Sequence, residues 1–252
     1  QKRSGVVDKE ADRRRKAVLL TGKAISLFDR DLAASKAASM EANRLAPELV
    51  PAAVVLARAL FKNGDLRRGS GVLETAWKIE PHPELASTYV YARVGDSAPD
   101  RLKRARKLVG VHPDHPESHL ALARALYEAK EFAEARKEAE AALAIRHSES
   151  ACLLLADIEQ ADGANQGKVR AWLAKAVRAE PDPAWTADGM VSAQWAPFSP
   201  VSGRIDAFEW KVPVRRLQPA VEIEIEVVED IAPIVTTPPI VSSTAPVNDM
   251  AA

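Results

Sequence analysis

Large apolar residues recur at helical spacing through the middle of the chain, and the pattern repeats. Leu56-Ala57-Arg58-Ala59-Leu60-Phe61 returns further on as Leu122-Ala123-Arg124-Ala125-Leu126-Tyr127. Each block is followed at equal distance by a small turn and a new helix start, Gly64-Asp65-Leu66 in one and Lys130-Glu131-Phe132 in the other. The offset between the blocks holds two units of about 34 residues, the period of paired-helix repeats. Small residues mark where paired helices approach: Ala57, Gly69 and Ala76 in 50–83, then Ala123, Ala135 and Ala142 in 116–149. Pro81 closes the first of these units, and His147 stands where proline is expected in the second. The intervening 84–115 ends in His112-Pro113, and its first helix is shortened around Gly95-Asp96-Ser97-Ala98-Pro99. Upstream, Leu27-Phe28 and Asp31-Leu32 echo Leu60-Phe61 and Asp65-Leu66, with Pro47 as the closing residue. Downstream, Leu155-Ala156, Gly163 and Ala176 form a further unit closed by Pro181.

Small residues let antiparallel helices pack closely, large apolar residues fill the gap to the next pair, and proline stops the second helix. The pattern resembles tetratricopeptide repeats, well in two units and degenerately in three. It predicts an all-α solenoid of helical pairs with an inner groove. After residue 181 the pattern breaks. Ten of the 17 prolines lie at or after Pro181, and Trp185, Trp195 and Trp210 cluster just beyond it. The expectation is an irregular Trp/Pro-rich cap over 182–216, folded on the last helix pair to hide its apolar end. Val221-Glu222-Ile223-Glu224-Ile225-Glu226-Val227 alternates with period two, the pattern of an edge strand. Its acids and prolines read instead as part of an acidic, Pro-rich, disordered tail over 217–252. The predicted organisation is a basic lead-in (1–16), the solenoid (17–181), the cap and the tail.

Composition narrows the function. In 252 residues, 35 Lys+Arg balance 35 Asp+Glu, which excludes a bulk nucleic-acid binder. Hydrophobic residues at 47% supply an ample core. The balance is uneven: residues 1–16 hold seven bases against three acids, and 217–252 hold six acids and no Lys or Arg. No run approaches the roughly 18 to 20 apolar residues of a membrane helix. A single cysteine, Cys152, excludes an internal disulfide and reads as a small buried hydrophobe.

Candidate chemistry is sparse. Arg58 and Arg124 occupy equivalent first-helix positions, with Lys62 and Asn63 one turn beyond Arg58. First-helix polar residues often line the groove of such repeats, and Arg with Asn can clamp a peptide carboxylate. The competing reading pairs each arginine with a neighbouring Glu on the helix surface. His112, His115 and His119 give H-x2-H-x3-H, a spacing that suggests haem or metal contact. The same residues also read as an inter-repeat turn, with Asp114 as a cap and Pro116 at the first helical position. Arg13-Arg14-Arg15-Lys16 reads as a solvated helix face or a lipid-facing basic run. No phosphate loop, dinucleotide fingerprint, metalloprotease motif or nucleophile elbow occurs, so no enzyme, cofactor or resident metal is expected.

One segment carries a more specific resemblance. Cys152-Leu153-Leu154-Leu155-Ala156-Asp157-Ile158-Glu159, then Gly167-Lys168-Val169-Arg170-Ala171-Trp172-Leu173-Ala174-Lys175-Ala176, then Asp182-Pro183-Ala184-Trp185 resemble the HemY family of proteobacteria. Trp195-Ala196-Pro197-Phe198-Ser199-Pro200 through Phe208-Glu209-Trp210 is similar to the alphaproteobacterial form. The resemblance implies the repeat region of a bacterial inner-membrane protein associated with haem or porphyrin biosynthesis. It implies an N-terminal membrane anchor absent from this chain and no agreed catalytic residues. The expected function is a non-enzymatic interaction scaffold whose protein partners belong to the haem pathway. A porphyrin or haem carrier and a cell-envelope assembly factor are the alternatives.

Overall fold

The computed structural model describes residues 2–163 and 165–213. The chain divides into two units at Val214, and all described residues belong to the first. Among them, ten helices are followed by three short strands: α1 (Lys2–Leu27), α2 (Leu32–Leu45), α3 (Val50–Lys62), α4 (Leu66–Ile79), α5 (Pro83–Val90), α6 (Ala98–Val109), α7 (Pro116–Glu128), α8 (Phe132–Ile145), α9 (Glu149–Ala161), α10 (Gln166–Arg178), β1 (Ala184–Ala187), β2 (Met190–Ser192) and β3 (Glu209–Lys211). The helices form five antiparallel pairs, the expected tetratricopeptide-like solenoid. First helices after α1 begin at Val50, Pro83, Pro116 and Glu149, an even spacing throughout.

Local chemistry sets several of the boundaries. Asp31 and Asp65, the echoed pair, cap α2 and α4 by accepting the backbone N–H of Ala34 and Arg68 at 2.9 and 3.2 Å. Along the first helices the caps are His82, His115 and Ser148. His82 and His115 use Nδ1 to accept the N–H of Glu84 and Glu117, each just after a proline at the first position. Ala57 and Ala123 are wholly buried where the pairs meet. At Gly69 an added Cβ would lie 2.5 Å from the Phe61 ring and 3.1 Å from the Ala57 carbonyl oxygen, so this contact requires glycine. Trp77 fills the centre of the core, and its Nε1 donates to the Leu108 carbonyl at 3.2 Å.

Three expectations are corrected. The boundary between lead-in and solenoid at 16/17 falls inside α1, which runs unbroken because nothing in residues 2–27 stops a helix. The cap does not cover the last helix pair. After α10 the chain runs back along the edge formed by the starts of the first helices. Asp182 accepts from Ser150 at the start of α9, and Trp185 Nε1 donates to Glu84 at the start of α5 at 2.7 Å. The segment then lies along α1, where Arg14 donates to Asp206 at 2.6 Å and Pro197 rests on Gly22. Trp185, Trp195 and Phe208 share one buried cluster with Ala17, Val18, Ala42, Leu49 and Ala52. The return therefore seals the first pairs. It is also partly regular, because β1 pairs antiparallel with both β2 and β3 in the order β2-β1-β3. The acidic tail and the period-two segment 221–227 lie outside the described residues.

Candidate functional site

The first helices α3, α5 and α7 line an open groove of about 560 Å3. Its floor and walls include Val54, Phe61, Pro83 and Thr88, and both predicted arginines, Arg58 and Arg124, face it. The even period places Arg58, Tyr91 and Arg124 at one repeat position. Tyr91 went unnoticed in the sequence because α5 is short and ends at Val90, leaving Tyr91 as its C-cap. Counting by the period would have found it. Tyr91 donates to Glu128, and the Arg101 guanidinium lies 5.6 Å from its ring centre. Burial and the bond to Glu128 push its hydroxyl pKa up to about 12, so the group stays protonated.

The groove is electropositive where the arginines stand. Neither Arg58 nor Arg124 forms an ion pair among the described residues, so the expected pairing with a neighbouring Glu is absent. Arg58 instead rests over Phe28, 4.9 Å from its centre. Lys62 lies over the same ring at the same distance and bonds Asp29 at 3.3 Å. Asn63 is spent as the α3 C-cap, its N–H reaching the Ala59 and Leu60 carbonyls. Lys62 and Asn63 do not line the groove. Of the acids nearby, Glu117 is bound to Arg146 at 2.6 Å. Glu84, which lines the groove, is half-buried, and this burial raises its pKa despite the bond from Trp185.

The groove continues past Arg58 into a second hollow of about 370 Å3 between α1, α3 and the return segment. Ile25, Phe28 and Val55 form its apolar side, and Ala193, Gln194 and Trp195 form a wall. The return segment thus bounds one end of the groove.

The histidines are dispersed among structural tasks. His115 caps α7, and His119 Nδ1 lies 2.7 Å from Glu138. His112 stands 6.5 Å from His115, ring centre to ring centre. No three His, Cys, Asp or Glu side chains among the described residues gather as a metal site. Cys152 is fully buried against Ala176 and Ala179, and burial raises its thiol pKa. Arg14, from the basic run, is held by Asp206 and Glu48. His82 escaped sequence reasoning, although His82-Pro83-Glu84 matches His115-Pro116-Glu117. It is 1% exposed, 4.1 Å from Trp210 and 5.3 Å from Trp185 by ring centres, and its Nε2 has no partner among the described residues. Burial lowers its pKa to about 4.

No protein-family model matches the chain. A curated relative from Magnetospirillum gryphiswaldense, described as probable magnetosome protein Mms48, is 26% identical over 198 residues. The match covers 77% of this chain and 44% of the relative, so the chain spans under half that protein's length. Among solved structures, the thermophilic tetratricopeptide protein TTC0263 of Thermus thermophilus is 21% identical with a TM-score of 0.44, covering 68% of this chain and 91% of that one. The MamA protein is 12% identical with a TM-score of 0.41, covering 65% and 91%.

These comparisons correct the HemY resemblance. No family model supports it, and the relative found is described as a magnetosome protein. The inner-membrane placement and the haem association fall with it. No described helix is long and apolar enough to cross a membrane. The tryptophans that suggested HemY are packing residues of the return segment. A packing pattern of this kind carries a fold and not a task.

Proposed function

We propose that the chain is a non-enzymatic scaffold that holds an extended, acidic segment of a partner protein across α3, α5 and α7. The observation that carries this reading is the pair of arginines, Arg58 and Arg124, facing one open groove with no carboxylate of their own among the described residues. An arginine fork left unpaired over an apolar floor suits a carboxylate flanked by hydrophobic side chains. The position between them is held by Tyr91, a rigid group with an apolar body and a polar tip. The likeness to Mms48 supports placing this role at a magnetosome. A crosslinking pull-down with the full chain, before and after the double substitution Arg58→Glu with Arg124→Glu, tests the groove. Captured partners should be lost while the helical circular dichroism persists. Undiminished capture by the doubly reversed chain refutes the groove.

A further inference from the structure

We propose that the outer face of α10 is a second docking surface, which takes an acidic amphipathic helix of a partner protein. It stands apart from the groove and does not depend on it. In the solenoid, the first helix of each pair covers the second helix of the pair before. Thus α9 covers α8: Leu143 packs with Cys152, and Arg136 donates to Glu159 at 2.6 Å and to Asp162 at 2.9 Å. Aligning buried Ala135 and Ala142 of α8 with buried Val169 and Ala176 of α10 puts Arg170 in the place of Arg136 and Val177 in the place of Leu143. No described helix covers α10 in turn, because the chain leaves toward the first pairs after Ala179. Val177 is 75% exposed and Leu173 44%. Arg170 is exposed and has no ion-pair partner among the described residues. The receptor half of a stacking contact is present without the helix that completes it.

Charge selects the occupant. α10 carries Lys168, Arg170, Lys175 and Arg178 and no acid. Lys168 pairs with Glu159 at 3.6 Å within the chain, and two copies meeting through α10 would oppose the other cations with no acid of α10 to offset them. A copy stacked head to tail would present α1, which the return segment already lines from Arg14 to Gly22. A helix with an apolar stripe and acids beside it answers both features. α9 is the worked example: residues 149–162 hold Glu149, Asp157, Glu159 and Asp162 and no base. Their Leu154, Leu155 and Ile158 are buried in the stack.

The probe is therefore a fluorescent peptide of residues 149–162 with Cys152→Ser, titrated with the full chain and read by anisotropy. Saturable binding is expected. It should weaken at least tenfold on Arg170→Glu or on Val177→Asp in the chain, both exposed positions that leave the helical signal unchanged. A peptide with Glu159→Lys and Asp162→Lys should bind the Arg170→Glu chain better than the original peptide does. Absence of binding, or binding indifferent to Arg170 and Val177, overturns the proposal. Loss on Arg58→Glu with Arg124→Glu would assign the peptide to the groove and overturn it equally. Sedimentation of the chain alone completes the test: a dimer abolished by Val177→Asp would make the occupant a second copy and overturn the partner assignment.

Discussion

Acid should weaken this fold through one buried histidine. His82 sits where the return segment meets the solenoid, its ring against Trp185 and Trp210. Its Nδ1 accepts the Glu84 N–H at 3.1 Å, which assigns the proton of the neutral ring to Nε2. Protonation would remove that cap and place a charge among indole rings. The folded pKa is about 4 against an ordinary 6.5. The unfolded chain therefore binds the proton first as pH falls. The stability owed to neutral His82 is complete above pH 6.5 and is lost as the pH falls to about 4. At about 1.36 kcal/mol per unit, the full loss is about 3 kcal/mol. Glu84 acts in the opposite sense, since burial raises its pKa and its protonation favours the fold. Urea titrations at pH 7.5 and pH 4.5, read by tryptophan fluorescence, measure the sum. His82→Asn keeps a capping acceptor, does not titrate, and leaves Glu84 in place. The variant starts lower, because the ring stacking is gone, but between these two pH values its dependence should be flatter by about 2.5 kcal/mol. Equal pH dependence in the two chains would refute the assignment.

Two further outcomes test the packing. Gly69→Ala and Gly71→Ala add the same methyl to the same helix, but only the first meets Phe61 and the Ala57 carbonyl; nothing lies within 4 Å of the second. Gly71→Ala should therefore raise the thermal midpoint, by about 0.5–1 kcal/mol of helix propensity, while Gly69→Ala lowers it; a rise in both removes the close approach. A double-mutant cycle on Arg14→Ala and Asp206→Ala should show coupling on the order of 1 kcal/mol, discounted for partial exposure, and a coupling of zero would mean this ion pair does not help hold the return segment to α1.

Most of the solenoid was legible because its physics is local. The recurrence of Ala57, Ala123 and Gly69, and the echo of Asp31 in Asp65, report helix approach and helix capping within one unit. The equivalence of Arg58 and Arg124 was legible for the same reason, since they recur in register, whereas Lys62 and Asn63 do not line the hollow these arginines face. Tyr91 was hidden by the shortening of α5, which breaks the visual repeat while keeping the count between units. The path of the return segment was not legible. Trp185, Trp195 and Trp210 announce that a large apolar surface is buried, but not where. Their destination depends on how five pairs bring the middle of α1 and the starts of α5 and α9 to one edge, and no single unit encodes that. His82 was missed because its burial is made by Trp185 and Trp210, far along the chain from it. HemY was suggested by the same tryptophans, whose spacing serves this contact.

The return segment gives the solenoid a polarity in how it comes apart. An array of repeats ordinarily frays from both ends, each end unit being held by one neighbour. Here α1 and α2 are bound both by α3 and by a strap anchored at Ser150, Glu84 and Arg14, contacts that span from 32 to 192 positions in sequence. Opening the first pair means detaching the strap, so its amides should exchange with solvent close to the rate of global unfolding. In the last pair the strap holds only the start of α9, through Asp182, and no described element covers α10. Local opening is thereby steered to α10, and the chain behaves as a spring clamped at one end and loose at the other.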